Sequence, residues 1–68
     1  MNKILIGRTI QKLRKEKCIS QTELAFLLDI PSQSKISAWE NGNCVPDLLE
    51  SLQLSKIFNV PITNLLNY

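Results

Sequence analysis

Histidine is absent from the 68-residue chain. Without it no side chain has an unperturbed pKa suited to general base work near neutrality, and zinc-type sites lose their commonest ligand. Cysteine is scarce. Cys18 and Cys44 stand apart with no CxxC spacing, too few to hold a metal within one chain. One disulfide between them is feasible on sequence, with a pair of reduced intracellular thiols as the favoured alternative. Glycine and proline number only two and three, which argues against a many-turned β fold and for helical stretches. No apolar run approaches the roughly 20 residues of a membrane span, and MNKILIGRTI has too short an apolar stretch for a secretory leader. A single domain, 1–68, leaves no room for a cofactor fold beside a catalytic cleft. No catalytic residue, metal, cofactor or small-molecule ligand is therefore expected, and a soluble cytoplasmic protein is the simplest expectation.

What is present is an ordinary globular composition, 44% hydrophobic and 21% charged, which excludes disorder. Charge is lopsided along the chain. Residues 1–20 carry Lys3, Arg8, Lys12, Arg14, Lys15 and Lys17 against Glu16, a balance of +5. Residues 21–68 carry Lys35 and Lys56 against Glu23, Asp29, Glu40, Asp47 and Glu50, a balance of −3. Such an asymmetry points to a polyanionic partner, or to a basic helix facing water.

Periodicity and caps predict five short helices. Ile6, Ile10 and Leu13 share one face of a first helix from about Lys3 to Lys17. Ser20-Gln21-Thr22-Glu23 is a capping box opening a second, about 21–28, with Leu24, Ala25 and Leu28 as its buried stripe and Pro31 beyond its end. Ser32 is the candidate cap of a third helix, about 33–41, in which Ile36 and Trp39 point inward and Gly42 closes the end. Asp47 caps a fourth helix to about Phe58, and a fifth runs from Ile62 to Leu66. Helices two and three form a helix-turn-helix. The third is polar and built of short side chains anchored by two large apolar ones, a form suited to offering hydrogen bonds to base edges in a major groove.

The stretch from Ile6 to Leu66 resembles the helix-turn-helix domains of phage repressors, Cro proteins and their bacterial relatives, the XRE type. The resemblance is carried by Leu13-Arg14, by Ile19-Ser20-Gln21 with Glu23-Leu24-Ala25, by Ser32 to Ser37 with Trp39-Glu40-Asn41-Gly42, by Pro46, and by Phe58-Asn59-Val60 with Leu65-Leu66. It implies an all-α, compact five-helix lambda-repressor-like DNA-binding domain. It implies base reading by Gln33, Ser34, Ser37 and Ala38, and phosphate contacts from Gln21, Lys35, Asn41, Asn43 and Arg14. Arg14 and Glu40 match a structural ion pair of the family. The corner of the fourth and fifth helices, with Ile62, Asn64 and Leu65, matches a dimer contact. A homodimer would set two recognition helices about 34 Å apart and imply a palindromic operator.

Three departures from the family pattern stand out. Pro31 makes the turn between helices two and three look one residue longer. Cys18, Asp29 and Asn59 occupy positions where the family usually has glycine at a helix end with positive φ. Asp and Asn tolerate that conformation and Cys does so poorly, so either Cys18 is strained or the first helix ends differently. Phe26 faces away from the buried stripe. The expected function is a sequence-specific regulator of transcription, a repressor acting on double-stranded DNA. The alternative is an antitoxin or other protein-interaction module on the same fold, favoured by Phe26 and the leucine-rich fourth helix.

Overall fold

Short polar side chains decide where the helices begin in the computed structural model, which describes residues 2–66. Asn2 Oδ1 accepts from the amides of Ile4 and Leu5 and opens α1 (Lys3–Glu16). Ser20 opens α2 (Gln21–Leu27) through a complete capping box: its Oγ accepts from the Glu23 amide and the Glu23 carboxylate accepts from the Ser20 amide, each at 3.0 Å. In α3 (Ser34–Glu40) Gln33 is already helical in φ and ψ and makes no side-chain cap. Ser32 does that work instead, its Oγ accepting from the Ser34 amide at 3.2 Å. Asp47 opens α4 (Leu48–Phe58) through a second capping box with Glu50. Pro61 precedes α5 (Ile62–Leu66). Each boundary lies within a residue of the sequence expectation, and every element among the described residues is helical. The expected span 1–68 runs beyond the described residues at both ends.

Four helices also end alike. Cys18 (φ 58°), Asp29 (φ 58°), Gly42 (φ 76°) and Asn59 (φ 56°) adopt the left-handed conformation. The next amide then reaches back over the last turn: Ile19 to the Arg14 carbonyl at 3.3 Å, Ile30 to Ala25 at 2.9 Å, Asn43 to Ala38 at 2.9 Å and Val60 to Ser55 at 3.1 Å. This is the Schellman closure, which satisfies carbonyls left without helical partners. The first helix therefore ends in the family manner, and Cys18 itself takes the unfavourable φ. Cys18 and Cys44 are free, exposed thiols, so the disulfide alternative falls.

The closures aim side chains. Ile19, Ile30 and Val60 turn inward against a core of Ile6, Ile10, Leu24, Ala25, Leu28, Ile36, Trp39, Leu54, Phe58 and Leu65. Around it α1 packs on α3 and α5, α2 packs on α3, and α4 packs on α5. Gly7 lets α1 approach α3 closely: a Cβ there would lie 2.1 Å from the Trp39 carbonyl oxygen. Trp39 fills the centre, and its indole N–H is buried without a hydrogen-bond partner. No helix among the described residues is long and apolar enough to cross a membrane.

One expected role changes here. Leu65, named as a dimer contact, is fully buried within its own chain. The four residues from Ile62 turn it inward from the short last helix, so it has no surface to offer. Ile62 is half-buried and Asn64 exposed. Leu48, Leu49 and Leu52 are exposed on the outer side of α4, while Leu54 and Phe58 face the core.

Candidate nucleic-acid interface

At 100° per residue, Ser34, Ser37, Ala38 and Asn41 fall at i, i+3, i+4 and i+7 and line one face of α3. That face is opposite Ile36 and Trp39, which are fully buried. Ser34 and Asn41 are exposed, and Ser37 and Ala38 are half-buried. The stripe is neutral, short and rich in hydrogen-bonding groups, and it is already partly ordered. Ser32 Oγ donates to Ser34 Oγ at 3.0 Å, and Asn41 Nδ2 donates to Ser37 Oγ at 3.3 Å. Gln33 stands exposed at the entrance to the helix. Three of the four expected readers, Ser34, Ser37 and Ala38, thus share one face of α3, and the fourth, Gln33, stands just before its first residue.

The exit from α3 is equally exposed. Of the four Schellman closures, three place an apolar residue against the core, whereas the one after α3 places Asn43 in solvent. Asn41 and Asn43 therefore flank Gly42 on the surface, able to donate hydrogen bonds to an anion.

Behind this face lies a charged knot. Arg14 Nε donates to Glu40 Oε2 at 2.7 Å and Nη2 donates to Glu40 Oε1 at 3.1 Å, a bidentate pair. Arg14 Nη1 donates to the Ile19 carbonyl at 2.8 Å. Gln21 Nε2 donates to Glu40 Oε1 at 3.1 Å. The Arg14 and Glu40 side chains are only 11% and 2% exposed. Hydrogen bonding to Glu40 raises the Arg14 pKa above its already high ordinary value, against the opposing effect of burial. The knot ties α1, the start of α2 and the end of α3 together. It corrects one expectation: Arg14 has three donors engaged inside the fold and is too enclosed to serve a phosphate. Gln21 retains one amide hydrogen free of this network.

Lys35 leaves the same helix on its α4 side, where its Nζ is paired with Glu50 Oε2. The hydrogen bond to Glu50 raises the lysine pKa, opposed by slight desolvation and helped by the charges of Glu50 and Asp47.

A family model described as a helix-turn-helix domain matches residues 7–68. The chain belongs to that helix-turn-helix family. A search of curated proteins finds no match. Among solved structures it is similar to the crystal structure of the restriction-modification controller protein C.AhdI from Aeromonas hydrophila, with 27% sequence identity and a TM-score of 0.82 over 93% of this chain and 94% of that one. A helix-turn-helix protein of this Cro/C1-like type is a DNA-binding regulator. The helix-turn-helix of this chain is α2, the turn after it and α3.

Several residues that shape this helix-turn-helix surface were not legible as such in the sequence. Glu50 entered the sequence reading only as a charge; one of its oxygens completes the Asp47 cap and the other holds Lys35. Gly7 carried no signal beyond being a glycine inside a helical pattern, a position that weakens a helix unless close packing requires it. Asn43, by contrast, was expected from the resemblance, and the sequence carries a local sign of it: it follows a helix-closing glycine where Ile19, Ile30 and Val60 follow the other three closures.

Proposed function

We propose that the chain is a transcriptional repressor that binds a palindromic operator as a homodimer, with α3 lying in the major groove. The observation that carries this reading is the neutral Ser34-Ser37-Ala38-Asn41 stripe, displayed by a helix whose opposite face is locked by Ile36 and Trp39. Gln33 and Ser34 lead into the groove, where glutamine pairs with adenine N6 and N7 and serine with several base-edge groups. Ala38 meets a thymine methyl. Asn41 and Asn43, with the free amide hydrogen of Gln21, hold phosphates on either side. The exposed cations Lys3, Arg8, Lys12, Lys15 and Lys17 of the first twenty residues supply long-range attraction. The likeness to a restriction-modification controller protein supports a controlling role.

Binding site selection from a random duplex pool tests this directly, with Gln33→Ala/Ser34→Ala as the diagnostic variant. The double change removes preference among sequences and leaves salt-sensitive non-specific binding in place. Preference that survives the change would move base reading elsewhere.

A protein-interaction role, such as that of an antitoxin, has its own support in Phe26, which is 82% exposed on α2 beside exposed Leu27. Co-purification of a neighbouring gene product that depends on Phe26 would establish it.

A further inference from the structure

Helix α3 carries one outward charge, Lys35, and α4 holds it. On the helical wheel Lys35 borders the reading stripe, where a lysine ordinarily reaches for the phosphate backbone. Here its ammonium meets Glu50 instead. Glu50 is not a loose surface carboxylate. Its Oε1 accepts from the Asp47 amide at 2.9 Å, its own amide donates to Asp47 Oδ1 at 2.8 Å, and its side chain is 13% exposed. Exposed ion pairs are weak largely because two long side chains must be ordered together. In this pair the helix cap has already ordered one of them, and Asp47 adds a second negative charge close to the lysine.

We propose that Glu50 withholds Lys35 from the phosphate backbone and thereby limits the sequence-independent affinity of the interface. The proposal rests on the DNA-reading role of α3. Its consequence is that the reading face meets DNA as a neutral surface, and that the salt dependence of binding contains no contribution from Lys35.

The test is the salt dependence of binding to a random-sequence duplex, measured for the wild-type chain, Glu50→Gln, Lys35→Ala and the double variant. Glutamine still accepts from the Asp47 amide and keeps the cap, but holds no ammonium by charge. Glu50→Gln should steepen the log–log slope by about 0.9 and tighten binding roughly eightfold at 0.1 M salt, the effect of one added phosphate contact. Lys35→Ala should leave the wild-type slope unchanged and should abolish the gain in the Glu50→Gln background. A wild-type slope that flattens by about 0.9 on Lys35→Ala overturns the proposal, because Lys35 would then already be a phosphate contact. So does a gain that persists in the double variant, since general charge repulsion would account for it. Should Glu50→Gln lose its helical circular dichroism, the Lys35→Ala measurement decides alone. Absence of salt-sensitive wild-type binding to any duplex is a separate result, and it would remove the DNA-reading role itself.

Discussion

At the scale of single residues, backbone conformation and side-chain identity disagree most at Cys18. An L-residue in the left-handed region costs about 1–2 kcal/mol, and only glycine escapes this readily. Asp29 and Asn59 occupy the same conformation with side chains that tolerate it better. Cys18→Gly should therefore stabilise the chain by about 0.5–1 kcal/mol, the relieved strain less the greater freedom glycine loses on folding. A thermal midpoint higher by roughly 2–8 °C is expected, with a smaller rise for Asn59→Gly, and equal responses would show that the thiol side chain is not strained there. Gly42 was readable as a closure from the residue itself and the resemblance pointed to Asp29 and Asn59, whereas the end of the first helix at Cys18 stayed open until the structure showed its φ. The partners of Gln21 and Lys35 were not readable. Both side chains looked free to meet phosphate, yet one is bonded to a carboxylate nineteen residues away and the other to a carboxylate on a different helix.

At the scale of elements, the α1–α3 contact opposes two principles at one position. Helix propensity favours alanine over glycine at Gly7 by about 1 kcal/mol. Packing forbids it, since the added Cβ would meet a backbone oxygen that cannot rotate away. Overpacking typically costs about 1–3 kcal/mol, and a 2.1 Å approach to backbone belongs at the upper end. Gly7→Ala should give a net loss of at least about 1 kcal/mol in urea titration, and should loosen the Arg14–Glu40 knot that lies between the same two helices. A stabilised variant would mean that α1 can slide outward without loss. Helix starts, by contrast, followed directly from Ser20, Ser32 and Asp47, because a cap acts on amides two or three residues ahead.

At the scale of the whole molecule, smallness governs both stability and assembly. A chain of this length has about 3–10 kcal/mol of folding free energy in all, and its body measures 27 × 24 × 21 Å. Leu48, Leu49 and Leu52 leave α4 with apolar surface in water, and Ile62 lies half-buried beside the last turn. A dimer that covers such surface would add stability in proportion to concentration. Ile62→Glu is the variant that probes the proposed corner, since a charge at Leu65 would disrupt the core instead. The wild-type thermal midpoint should rise with protein concentration and its sedimentation should report a dimer. Ile62→Glu should sediment as a monomer with a concentration-independent midpoint, and unchanged sedimentation would exclude that corner.

The amino-acid sequence by itself determined the number of helices, their boundaries, the inward positions of Ile36 and Trp39, and the neutral stripe that faces away from them. These depend on interactions within about one helical turn or on the helical period, and both are written in consecutive residues. Tertiary structure alone decided that Leu65 lies inside, that Gly7 admits α3, that Gln21 joins the expected Arg14–Glu40 pair, and that Glu50 takes up the charge of Lys35. Each of these joins residues far apart in the chain, and such pairings exist only once the helices have packed.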